Sequence, residues 1–196
     1  CISVQRAYIH ESCFNQFSNI LKQEVERLKI GDPLDESVNF GPMIDEENAK
    51  RIEAWVDEAV QSGGTKITGG KRDGLFYPPT VLTGVSSRMK IVCQEAFGPI
   101  LVIEPYKNFA EVIDKVNDSD FGLQTGVFTN RLDYAMQAFN RLDVGGVIIN
   151  DVPAFRVDNM PYGGVKDSGF GREGIRYSME EMTELKLLVL NNYRDK

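Results

Sequence analysis

The chain has 196 residues, 42% hydrophobic and 26% charged, which at roughly 150 residues per domain is one globular domain with room for a core and an appendage. Its 22 Lys and Arg against 29 Asp and Glu leave a net charge of −7, a balance that repels phosphate backbones and anionic membranes and argues against nucleic acid as a partner. No apolar run reaches the roughly 18 residues of a membrane span, and a single histidine, His10, gives no basis for a histidine-rich metal site.

The first predicted element is a strand over residues 2–9, where Ile2, Val4, Arg6 and Tyr8 alternate with Ser3, Gln5, Ala7 and Ile9. His10, Glu11 and Ser12 then read as a helix entrance. Phe14, Phe17, Leu21, Val25 and Leu28 recur at threes and fours and predict a helix over 13–30, stopped by Gly31-Asp32-Pro33. A second amphipathic helix is expected over 45–61, with Ile52, Trp55, Val56, Ala59 and Val60 on one side and Gly63-Gly64 closing it. Strands follow at 65–68, 80–82 and 100–104, then a helix at 109–116, a strand at 125–129, a helix at 132–141 and an apolar strand at 147–149.

Strands alternating with helices of this length predict an α/β layered domain with a largely parallel sheet and flanking helices. The apolar run at 146–149 predicts burial on both faces. A short helix at 175–182 leads to a strand-like stretch at 185–190, four leucines and a valine with one lysine, and then a polar tail. It reads as an arm beyond the domain body, which divides the chain into residues 1–183 and 184–196.

Three cysteines, Cys1, Cys13 and Cys93, are an odd count without a close pair and suit a reducing cytoplasm. Cys13 on the apolar side of its helix and Cys93 after Ile91-Val92 are expected to be buried fillers. A chain opening on Cys1 instead of Met is expected to be processed or to be a piece of something longer.

The densest motif runs from Met160 to Gly174, with glycines at 163, 164, 169, 171 and 174. That many flexible residues form a shaped loop. A phosphate cradle would need Lys adjacent to Ser or Thr, whereas Lys166 and Ser168 are separated, so a structural turn and a ligand loop both stay open. In Gln94-Glu95-Ala96-Phe97-Gly98-Pro99 a carboxylate and an aromatic flank a turn, either as ligand groups or as solvated surface. Asn150, Phe155 and Arg156 follow an apolar strand, where open α/β sheets place their sites; ordinary loop contacts are the alternative.

In order and spacing, Cys1-Ile-Ser-Val-Gln-Arg6, Gly41-Pro-Met-Ile44, Tyr77-Pro-Pro-Thr80, Gln94 to Pro99, Gly146 to Asn150 and Pro161 to Glu173 resemble the C-terminal half of NAD(P)-dependent aldehyde dehydrogenases. The resemblance covers essentially every residue. It implies that a Cys1 thiolate attacks an aldehyde, that hydride passes to NAD or NADP, and that water releases a carboxylic acid from the thioester. It also implies that Glu95 accepts hydrogen bonds from the nicotinamide ribose, that Phe97 packs near the nicotinamide, and that Phe155 lines the substrate tunnel. Arg156 is unusual for an apolar tunnel and, with Phe155, is assigned to substrate binding. Phe155-Arg-Val-Asp158 resembles the lactaldehyde and phosphonoacetaldehyde types, which favours a small polar or anionic aldehyde.

On this resemblance residues 1–183 are the catalytic domain and 184–196 an oligomerisation strand and tail, implying a homo-oligomer. The family's general-base glutamate, oxyanion asparagine, positioning lysine and cofactor-binding domain are not in these 196 residues, so the isolated chain is expected to be inactive. Two rivals remain: an N-terminal-cysteine amidohydrolase, whose fold would be stacked antiparallel sheets, and a non-catalytic folded module.

Overall fold

The computed structural model describes residues 1–192. A strand, β1 (Arg6–His10), runs directly into helix α1 (Glu11–Glu26), and α2 (Glu46–Gln61), β2 (Thr65–Thr68), β3 (Thr80–Thr83), α3 (Lys90–Cys93) and β4 (Ile100–Tyr106) complete the first layer pair. The sheet order is β1-β4-β3-β2, with β1 and β3 parallel to β4 and only the edge strand β2 antiparallel. Helix α4 (Phe109–Asn117) and β5 (Phe121–Gly122) follow, then β6 (Gln124–Val127), α5 (Leu132–Arg141), β7 (Gly146–Ile149), β8 (Val165–Lys166) and α6 (Ile175–Glu181). Strands β6 and β7 pair in parallel, and β5 pairs antiparallel with β8. The expected α/β architecture with a parallel-rich sheet and flanking helices is the one observed.

The larger core lies between α2 and the four-stranded sheet, where Ile52, Val56, Ala59, Leu82, Ile91, Ile100 and Val102 pack with Tyr77 and Ala96. Each large aliphatic side chain there contributes roughly 1.5–3 kcal/mol by leaving water. Helix α2 begins where the Asp45 carboxylate accepts the Asn48 N–H at 2.7 Å, which together with the Asn48 amide holds that carboxyl below its ordinary range. A smaller core of Ile113, Ala138 and Leu142 joins α4, α5 and β7. There Phe109 and Tyr134 stack with centroids 4.4 Å apart.

Several boundaries differ from expectation for physical reasons. The first strand begins at Arg6, not residue 2, because Arg6 is the first residue opposite β4, paired with Val102. Helix α1 stops at Glu26, and Ile30 instead forms an isolated bridge with Phe40. Strand β7 is only half-buried, with Ile149 exposed, because it pairs with β6 alone; the strand buried on both faces is β3. Residues 185–190 form no strand: their apolar side chains are 70–103% exposed, apart from Lys186. An apolar run becomes a strand only with a partner edge, and among the described residues no strand pairs with 185–190.

The cysteine expectation is also corrected. Cys13 is exposed, since α1 buries none of its residues, and Cys93 is half-buried. No helix of the described residues is long and apolar enough to cross a membrane.

Candidate active site

Cys1 is exposed, and the chain from it leads through residues 2–5 to the start of β1. Four extended residues reach at most about 14 Å, so Cys1 stays within that distance of Gln5. The Gln5 backbone carbonyl accepts the Val102 N–H at 2.9 Å, fixing the strand entrance on β4. Its side chain turns the other way. Gln5 Nε2 donates to the carbonyls of Ile91 at 3.0 Å and Gln94 at 2.7 Å, and Oε1 accepts the Ala96 N–H at 3.0 Å. Glu95 thus sits between two residues held by the side chain of Gln5, which stands four positions along the chain from Cys1.

The turn carrying Glu95 is anchored from its other side as well. Ala96 is buried, and its carbonyl accepts Arg51 Nη2 at 2.7 Å while the same guanidinium lies 4.6 Å from the Trp55 ring centroid. At Gly98 a Cβ would sit 2.8 Å from the Ile52 side chain, so only glycine lets the turn approach the core. Between these anchors Phe97 takes φ +45° and leaves its ring 63% exposed. A non-glycine residue held in that region is strained by about 1–3 kcal/mol, a feature that clusters at ligand sites. An outward carboxylate and an outward aromatic plate on a braced turn fit a cofactor presenting ribose hydroxyls and a flat ring.

The second group lies in the loop after β7. Asn150, at φ +61°, uses its Oδ1 to accept the Thr129 N–H at 2.8 Å, which makes it a loop brace. Gln124 Nε2 donates to Pro153 O at 2.6 Å and Phe155 O at 3.3 Å, and the Phe155 ring is exposed. Arg156 is engaged: its Nη2 donates to Glu173 Oε2 at 2.8 Å and its Cζ lies 4.2 Å from the Tyr162 ring centroid. No hydrogen bond among the described residues joins this loop to the Gln94–Pro99 turn.

The glycine-rich stretch is built as a structural turn. Ser168 Oγ accepts the Gly122 N–H at 2.9 Å, Lys166 Nζ donates to the carbonyls of Asn117 and Ser119 at the end of α4, and Arg172 Nη1 donates to Gly164 O and Gly171 O. A Cβ on Gly145 would collide with the Gly163 carbonyl, which explains the close approach there. Sequence reasoning missed Gln5, Tyr162 and Glu173. Gln5 carries no local signal beyond its place in the Cys1–Arg6 motif.

A profile described as the aldehyde dehydrogenase family matches residues 1–188. The chain is 54% identical over 191 residues to a 3-sulfolactaldehyde dehydrogenase of Priestia aryabhattai, covering 97% of this chain and 40% of that protein. It superposes with a TM-score of 0.96 at 46% identity on aldehyde dehydrogenase 21 of Physcomitrella patens in complex with the reaction product succinate, over 98% of this chain and 40% of the other. Against a glyceraldehyde-3-phosphate dehydrogenase of Methanocaldococcus jannaschii complexed with NADP the TM-score is 0.91 at 40% identity, over 95% and 40% of the two chains. The chain therefore spans about 40% of the length of the relatives it matches.

Proposed function

Since the chain belongs to the aldehyde dehydrogenase family, we propose that it supplies the nucleophile and part of the cofactor cradle of an enzyme that oxidises a small anionic aldehyde to a carboxylic acid. The observation that carries this reading is the Gln5 clamp, which binds the strand entrance after Cys1 to both neighbours of Glu95.

In this reading the Cys1 thiolate adds to the aldehyde carbon, giving a thiohemiacetal. Glu95 accepts hydrogen bonds from ribose hydroxyls of NAD or NADP, and the exposed Phe97 ring packs beside the nicotinamide. NAD or NADP, held through Glu95 and Phe97, would supply the two-electron hydride acceptor for oxidising the thiohemiacetal to a thioester. Water then cleaves the thioester left on Cys1, releasing the carboxylate and restoring the thiol. Phe155 forms the apolar wall for the aldehyde chain, and Arg156 offers its guanidinium to the distal anion. Support for an anion comes from the sulfonate in the name of one relative and the succinate bound to another.

Residues 1–183 act as the catalytic domain, and of the arm at 184–196, whose last four residues lie outside the described ones, residues 185–190 complete a sheet in a neighbouring copy. The exposed leucines of that arm support a homo-oligomer. Three cysteines outside any disulfide support a reducing, cytoplasmic setting.

The test is the complete protein with NAD or NADP, assayed by absorbance at 340 nm on succinic semialdehyde and on uncharged butyraldehyde. The expected result is a kcat/KM preference for the anionic aldehyde of about tenfold or more, lost in Arg156→Gln, as for a charge-assisted hydrogen bond. Equal efficiency on both aldehydes would overturn the substrate reading, and no oxidation of any aldehyde would overturn the activity.

A further inference from the structure

Resting on the reading of Arg156 as the anion-binding group, we infer that Glu173 and Tyr162 are positioning residues that pre-set Arg156 for an anionic aldehyde. The arginine is held from two directions. Glu173 Oε2 takes its Nη2 at 2.8 Å, and the Tyr162 ring lies under its Cζ at 4.2 Å. The two holders are locked to each other, because the Tyr162 N–H donates to Glu173 O at 3.0 Å and the Glu173 N–H donates to Tyr162 O at 2.6 Å. Tyr162 is buried and gives a fixed plate. The turn bearing Glu173 is anchored by the Arg172 bonds to Gly164 O and Gly171 O.

Stability does not account for this arrangement. The Arg156 and Glu173 side chains are 43% and 66% exposed, and ion pairs at such sites add little to folding. The exposure has a different consequence. Among the described residues the Nε and Nη1 of Arg156 have no hydrogen-bond partner, so N–H donors of a guanidinium held by Glu173 at Nη2 remain available. An arginine already ordered by folding loses less rotamer freedom when an anion binds.

The charge of Glu173 makes the inference decidable by sign. A carboxylate that merely competed with the substrate anion would weaken its binding, and removing the charge would lower KM. A carboxylate that orients Arg156 has the opposite effect when neutralised.

In the complete protein, kcat and KM are measured for succinic semialdehyde and butyraldehyde in Glu173→Gln, Glu173→Asp, Tyr162→Leu and Arg156→Gln. Glu173→Gln raises KM for the anionic aldehyde about tenfold, the scale of one charge-assisted hydrogen bond, and leaves KM for butyraldehyde within about twofold. Glu173→Asp, which keeps the charge, recovers part of the loss. Tyr162→Leu, which removes the ring face under Cζ, raises the KM ratio of anionic to uncharged aldehyde, and an unchanged ratio removes Tyr162 from the positioning role. A lower KM for the anionic aldehyde in Glu173→Gln, or equal changes for both aldehydes, overturns the positioning role. An Arg156→Gln variant with an unchanged ratio removes the substrate reading and this inference together. A selective loss in Arg156→Gln beside a silent Glu173→Gln removes the positioning role alone.

Discussion

Gln5 holds Ala96 from 91 residues away, its Oε1 accepting the Ala96 N–H at 3.0 Å. Ala96 is 1% exposed, so without that acceptor its N–H would be a buried donor with nothing to bind. The same amide group gives both its hydrogens to Ile91 O and Gln94 O. One side chain thus uses donor and acceptor together, and the turn it closes is the one that presents Glu95 and Phe97.

Replacing Gln5 tests this directly. Gln5→Leu keeps the approximate volume and removes all three bonds, and it destabilises the protein by about 2 kcal/mol, the scale for orphaning a buried donor and losing partly exposed partners. Urea denaturation followed by circular dichroism reads it as a lower midpoint at unchanged slope. In the complete protein the KM for NAD or NADP rises as well, because the turn loses its fixed orientation. An unchanged urea midpoint would show that the clamp holds nothing.

The helices and strands were largely legible, because the periodicity that marks an amphipathic helix such as α2 is created by the same core contacts that stabilise it. Cys13 shows where that reasoning stops. Its position on the apolar side of a predicted helix said buried, yet α1 buries none of its residues, and a helix pattern carries no information on what covers it. The composition of 185–190 suggests a strand, but strand formation depends on a partner edge that no local pattern supplies. Glu95 and Phe97 stand out in the sequence through motif order, whereas Tyr162 and Glu173 meet only through a turn whose path glycines permit and do not specify. Arg156 was singled out as unusual, and its pairing to Glu173, 17 residues on, was beyond local reading.

Tyr77 makes alkaline stability a second check. Its hydroxyl is buried and makes no hydrogen bond, while Thr80 Oγ1 donates to Pro78 O and accepts the Gly70 N–H. Burial pushes the phenol up to about 12, above its ordinary value near 10. A group raised in the folded state contributes stability that is fully present below the unfolded pKa and lost as pH rises through the folded one. The wild-type urea midpoint therefore falls between about pH 10 and about pH 12 more steeply than that of Tyr77→Phe. At neutral pH the variant is equal in stability or gains up to about 1 kcal/mol, because the removed hydroxyl had nothing to bond. Parallel pH profiles for the two proteins would refute the assignment.

The arm is tested by assembly. Deletion of residues 184–196 from the complete protein lowers the mass per particle measured by light scattering, since exposed Leu185, Leu187, Leu188 and Leu190 lose the neighbouring edge they are proposed to complete. Identical masses with and without the arm would mean that these leucines take no part in assembly.

Trapping the acyl intermediate decides whether Cys1 is the nucleophile. The complete protein is quenched in acid during turnover of succinic semialdehyde, digested and analysed by mass spectrometry, beside the variants Cys1→Ala, Cys13→Ala and Cys93→Ala. The expected result is a succinyl mass on the peptide carrying Cys1 and no turnover in Cys1→Ala. Because Cys13 is exposed and Cys93 only half-buried, those two variants retain kcat within about twofold and change stability by about 0.5 kcal/mol or less. An acyl mass on Cys13 or Cys93, or turnover in Cys1→Ala at the wild-type rate, would contradict it.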